Sequence, residues 1–99
     1  MKDVLEIEVE EHLVSYAKGK GCLAYKLQLS GRRGWPDQLI VTPAGVHGYA
    51  ETKRPKGGKI SPHQKKIAKE LIGNRCNHRY VKTIPEAEAF IDYLLTLGT

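Results

Sequence analysis

The chain has 99 residues, with 16 lysines and arginines against 11 aspartates and glutamates, a formal net charge of +5 and a pI near 9.3. That length suits one compact domain, and the basic balance favours a polyanionic partner, nucleic acid first. No apolar stretch approaches the ~20 residues of a membrane span, no signal-peptide core opens the chain, and Cys22 and Cys76 lack the close spacing of a zinc site or redox pair, so the expectation is a cytoplasmic protein with reduced cysteines as small core residues.

Leu5, Val9, Leu13, Tyr16 and Ala17 recur at helical spacing, which predicts an amphipathic helix over residues 4 to 18, ended by Gly19 and Gly21. Residues 22 to 29 alternate weakly through Leu23, Tyr25, Leu27 and Leu29 and predict a first strand. Ser30-Gly31-Arg32-Arg33-Gly34 is too rich in glycine and charge for a regular element. Trp35 beside Pro36 suits either stacking on a base or a packed wedge. Two β-prone segments then flank Pro43-Ala44-Gly45, namely Leu39-Ile40-Val41 and the run from Val46 to Tyr49, and predict a hairpin. A loop carries the chain from Arg54 to Ile60.

Ser61-Pro62-His63-Gln64 is a helix start, with Ser61 as N-cap, Pro62 in the first turn and Gln64 where a capping box places Glu or Gln. Ile67, Ala68, Leu71 and Ile72 form the expected buried stripe, and Gly73-Asn74 stop the helix. Residues 78 to 83 read as a short strand. Pro85 opens a last helix with Ala87, Phe90, Ile91, Leu94 and Leu95 inward. The order α-β-β-β-α-β-α argues an α/β domain of two or three layers, residues 1–99, around a mixed four-stranded sheet.

The chemistry gathers at the hairpin. Pairing centred on Ala44 sets Val41 against His47 and Asp37 against Glu51. Directly opposed residues share a face with Cβ atoms roughly 5 Å apart, where like charges are destabilising. A carboxylate pair in that position calls for a cation. Lys53, two residues after Glu51, projects to the same face, where it can orient or help activate an attacking water or neutralise charge developing on a phosphoryl oxygen. A hard divalent ion wants more oxygen donors than two. Glu6 and Glu10, four apart on the first helix, share a face, with Glu6 in the apolar stripe and Glu10 on its flank, while Glu8 and Glu11 point away. Gln64 lies one turn before Ile67 and Ala68; it closes the capping box or reaches toward the sheet, and the sequence allows both.

Arg32 and Arg33 precede Pro36-Asp37, and Lys53, Arg54, Lys56 and Lys59 follow Glu51, so two basic clusters border the same acidic centre. With Ser30, these are the residues expected to contact a phosphate backbone. His12, His47, His63 and His78 show no metal-ligand spacing. His63, adjacent to Gln64, is the one most worth testing.

Taken together, Ser30-Gly31-Arg32-Arg33-Gly34-Trp35-Pro36-Asp37, Glu51-Thr52-Lys53, Lys59-Ile60-Ser61-Pro62-His63-Gln64 and the N-terminal Val9-Glu10-Glu11-His12-Leu13-Val14 resemble the VRR-NUC family, the virus-type replication-repair nucleases of the PD-(D/E)xK superfamily. The resemblance runs over nearly the whole chain and implies a restriction-endonuclease-like core. It implies Mg²⁺ or Mn²⁺ held by Asp37, Glu51 and the Thr52 carbonyl, with a glutamate of the first helix, Glu10 before Glu6, as a further ligand. It assigns Lys53 as catalytic lysine and Gln64 as the helix glutamine near the site. Thr52 stands where an aliphatic residue is more usual. Small members resemble junction-cleaving enzymes of phage and bacteria, which implies a homodimer acting on branched DNA. The rival readings are a nuclease of flapped, nicked or linear duplexes and a non-catalytic basic module that binds nucleic acid.

Overall fold

In the computed structural model, which describes residues 4–98, α1 spans Glu6–Gly19, β1 Leu23–Lys26, β2 Gln38–Val41, β3 His47–Thr52, α2 Pro62–Gly73, β4 Asn77–Val81 and α3 Ile84–Thr96. The expected order is observed. Neighbouring strands follow chain order, β1-β2-β3-β4; the first two pairs are antiparallel and β3–β4 is parallel. A parallel pair needs a crossover, and α2 provides it.

The helix ends follow from local chemistry. In α1 the Leu5 N–H donates to Glu8 Oε2 at 2.8 Å, so Leu5 is the N-cap and lies half exposed outside the expected stripe. Val9, Leu13 and Ala17, spaced by four, are fully buried. Thr83 Oγ1 accepts from Glu86 N at 3.1 Å to cap α3. Along α2, Ile67, Ala68 and Leu71 are buried but Ile72 is 58% exposed, because a residue next to Leu71 turns ~100° away from its face. The first strand is shorter than its alternation suggested, since residues 27–30 leave the sheet for the glycine-arginine loop.

The main core forms on one sheet face. Val9, Leu13 and Ala17 of α1 meet Ala87, Phe90, Ile91 and Leu94 of α3 over Ile40, Ala50 and Val81. Cys22 joins this core as expected, whereas Cys76 is only partly buried; both are free thiols. Gly48 lies under α3, where a Cβ would run into Leu94 and crowd Phe90. Side chains alternate along a strand, so Gly48, Ala50 and Thr52 face α1 and α3, while Tyr49, Glu51 and Lys53 face the other way. There α2 lies, and the domain has three layers. His12 Nε2 to Glu88 Oε2 (2.7 Å) and Tyr16 OH to Asp92 Oδ1 (2.8 Å) tie α1 to α3 at the rim.

Ile91 is fully buried at the centre of this core. Its truncation, Ile91→Ala, is expected to cost about 2–5 kcal/mol in urea unfolding, with the secondary structure by circular dichroism retained below the transition.

Candidate active site

The hairpin register is the expected one: Val41 pairs with His47, Leu39 with Tyr49 and Gln38 with Ala50. One step further lie Asp37 and Glu51. The Leu27 N–H donates to the Asp37 carbonyl at 2.8 Å, which fixes that backbone at the end of the β1–β2 ladder. The Asp37 side chain reaches across instead of pointing at Glu51 alone. Its Oδ2 accepts from Thr52 N at 3.0 Å and from Thr52 Oγ1 at 2.8 Å. The Thr52 hydroxyl also lies 3.4 Å from Glu10 Oε2. Its single hydrogen belongs to the shorter contact, with Asp37. Thr52 thus has a side-chain role that no aliphatic residue could fill.

Glu51 is 2% exposed. Its Oε1 accepts from Gln64 Nε2 at 2.7 Å and lies 3.6 Å from Lys53 Nζ. Its Oε2 is buried with no hydrogen-bond partner among the described residues. Burial pushes the Glu51 carboxyl up to about 7, the charge of Asp37 adds to the rise, and Lys53 opposes it. Gln64 fulfils both expected roles, because Ser61 Oγ accepts from its N–H at 3.1 Å, its Oε1 accepts from Ser61 N at 2.9 Å, and its Nε2 remains free for Glu51. The helix cap therefore aims the amide into the site.

Asp37, Glu51, Lys53, Thr52 and Gln64 are thus brought together. Glu10 reaches the group only through the Thr52 hydroxyl and lies 3.6 Å from Lys26 Nζ. Glu6 is exposed instead of lying in the stripe, as it opens the helix; its charge is nevertheless felt at Glu51. Among the described residues, no three His, Cys, Asp or Glu side chains converge as a metal-holding group. The carboxylate donors at the centre are the Asp37–Glu51 pair. Glu51 Oε2, buried and unpaired beside a second acid, fits a hard cation whose other positions are filled by a main-chain carbonyl, water or a phosphate oxygen.

Ser30, Arg32, Arg33, Arg54, Lys56 and Lys59 are all exposed. Arg32 and Arg33 line a cleft together with α2 residues, and the Arg54 guanidinium lies against Gly57. Trp35 is a wedge, edge-on to Tyr49 with centroids 6.1 Å apart and its Nε1 buried. Tyr80, directly opposite Glu51 in the β3–β4 register, was not singled out from the sequence. Burial and then the Glu51 charge raise its hydroxyl above the ordinary value. Only the strand pairing reveals that neighbour.

A solved structure described as a VRR_NUC domain superimposes on this chain with a TM-score of 0.82, covering 89% of this chain and 95% of that one at 27% identity. A protein named "Putative nuclease p44", from Acyrthosiphon pisum secondary endosymbiont phage 1, is 42% identical over 64 residues, 65% of this chain and 68% of its own length. The chain belongs to the VRR-NUC family. No family model matches it. This VRR-NUC domain carries the family's nuclease fold, and the expected mixed sheet with its order of elements is the one observed.

The buried carboxyl gives a pH signature. Its proton affinity rises from an ordinary value of 4.5 to about 7 on folding, so the native state holds more protons than the unfolded chain between those values. Stability therefore falls as pH increases through that window and is lowest above it. Glu51→Gln removes this slope. The variant is expected to match the parent near pH 5 and to exceed it by about 1–3 kcal/mol at pH 8, read from thermal melts across the range; parallel profiles would contradict the assignment.

Proposed function

We propose that this VRR-NUC domain is a divalent-metal-dependent DNA endonuclease that hydrolyses phosphodiester bonds in branched DNA, four-way junctions above all, as a homodimer. The single observation carrying the reading is the Glu51 carboxylate: buried, held by Gln64, faced by Lys53, adjoined by Asp37 and left with one unpartnered oxygen.

Asp37, Glu51 and the Thr52 carbonyl would hold Mg²⁺ or Mn²⁺, with Glu10 the α1 carboxylate linked to them through Thr52. When bound, such an ion supplies Lewis-acid stabilisation of charge on the phosphoryl group. The chain's own residues do the rest. Thr52 donates to Asp37 and fixes its carboxylate; Gln64 donates to Glu51 and orients the other. Lys53 Nζ, on a side chain only 13% exposed, places a positive charge where negative charge develops on the scissile phosphate, in a site where little water screens it. Ser30, Arg32, Arg33, Arg54, Lys56 and Lys59 would contact the backbone, and the net charge of +5 draws DNA in.

Resolving a junction takes two symmetric cuts, which two copies related by a two-fold axis supply. In support, β1 is an edge strand, and Leu23 and Tyr25 on it are more than half exposed, offering apolar surface to a second copy.

A panel of labelled four-way junctions, flaps, nicked duplexes and linear duplexes tests the reading, with Mg²⁺ and with EDTA. Junctions are expected to be cut fastest, in Mg²⁺ only, and Lys53→Ala or Asp37→Asn should slow cleavage by about 10²-fold or more. Mg²⁺ should also raise the parent's melting temperature at pH 8 and leave Asp37→Asn unmoved. Preference for flaps or linear ends would replace the junction assignment, and salt-sensitive binding without any cutting would mark a non-catalytic module. Light scattering showing monomers alone would remove the paired-cut scheme.

A further inference from the structure

Glu10 is the one described acid of α1 that is not exposed; Glu6, Glu8 and Glu11 all are. Its two carboxylate oxygens have different neighbours. Oε1 lies 3.6 Å from Lys26 Nζ, and Oε2 lies 3.4 Å from Thr52 Oγ1. The hydroxyl hydrogen of Thr52 is already committed to Asp37 Oδ2 at 2.8 Å, so Glu10 Oε2 faces an oxygen with nothing left to donate. The charge of Glu10 is therefore answered by Lys26. The other ion pairs among the described residues join His12 to Glu88 and Lys53 to Glu51. Lys18 lines a groove with Glu10 on the α1 flank, but eight residues of helix set the two backbones roughly 12 Å apart along the axis.

The hairpin ladder places Lys26. It pairs with Gln38 at the end of the β1–β2 register, and the next residue, Leu27, donates its N–H to the Asp37 carbonyl at 2.8 Å. Alternation puts Lys26 on the α1 face of the sheet, with Ala24. Its side chain is 59% exposed, against 14% for Glu10. A wet cation thus grips a nearly dry carboxylate, while the like charges of Asp37 and Glu51 disfavour that carboxylate's approach to the centre. Positive charge between Asp37 and Glu51 would reverse this balance and compete with Lys26 for Glu10. Thr52 offers the complementary contact, because its one hydrogen becomes available to Glu10 Oε2 whenever Asp37 Oδ2 is engaged elsewhere.

We propose that Lys26 is a positioning residue for the metal centre: its ion pair holds Glu10 back at the rim and so sets how tightly the centre takes a divalent cation. It rests on the nuclease reading for the presence of that cation, and on the ion pair for the restraint. Sequence reading gave Lys26 no role, since only the packing of α1 against the end of β1 brings it to Glu10.

A double-mutant cycle over Lys26→Met and Glu10→Gln tests it, read by calorimetric titration of the DNA-free protein with Mn²⁺ at pH 8. Lys26→Met is expected to tighten Mn²⁺ binding about two- to fivefold, the size of one partly exposed ion pair, and to do so far less in the Glu10→Gln background. Lys26→Arg should keep the parent affinity. Lys20→Met, an equal loss of charge at the far end of α1, should keep it too, because water and salt screen that distance. An equal change in both backgrounds would show Lys26 acting only as diffuse charge, and an affinity unmoved by Lys26→Met would show no restraint on Glu10. Either result overturns the proposal, while Mn²⁺ binding by the parent leaves the nuclease reading standing. No Mn²⁺ binding by the parent or any variant would overturn both.

Discussion

Glu51 is a carboxylate almost completely withdrawn from water, with another carboxylate beside it, and that arrangement is unfavourable unless its neighbours compensate. The compensation comes from three parts of the chain. Lys53 follows on the same strand, Gln64 reaches in from the first turn of α2, and Thr52 occupies the Asp37 oxygen on the far side. The compensation is incomplete, as the unpartnered Oε2 and the raised proton affinity both show. An incompletely neutralised acidic centre inside a basic protein is suited to attract a cation and to face a phosphate.

Strand β3 makes this possible by serving two layers at once. On one face Gly48 and Ala50 are small enough for α3 to pack closely, which builds the core without help from the site. On the other face Glu51 and Lys53 meet α2, which contributes its capping residue and not its apolar stripe. Function and stability are thereby separated by the pleat of a single strand. The parallel β3–β4 pairing keeps that strand central and its acidic end away from bulk water.

Electrostatics divides the surface in a comparable way. Asp37 and Glu51 lie together in a largely water-excluded centre, whereas Arg32, Arg33, Lys56, Lys59 and Lys66 are exposed. Such a pattern orients an approaching polyanion by its many phosphates and leaves the acidic centre to act on one.

Much of this was legible in the sequence because it depends on local rules. Turn residues at Pro43-Ala44-Gly45 set the hairpin register, and the register alone brings Asp37 and Glu51 to one place. Alternation put Lys53 beside Glu51, and the Ser61–Gln64 spacing announced a capping box. What stayed hidden depends on contacts between elements distant in sequence. Tyr80 faces Glu51 because a parallel crossover sets the β4 register; the Thr52 hydroxyl, bonded to Asp37, lies near Glu10 because α1 packs on that face; Lys66 joins Arg32 and Arg33 because Gly34 lets a loop close on a helix. The choice between Glu6 and Glu10 was of the same kind, since helical periodicity ranks positions around an axis but not their distance from a sheet. Sequence periodicity therefore determined which residues share a face, while tertiary packing decided which faces meet, because burial energy is summed over the whole core and is invisible to any short window of residues.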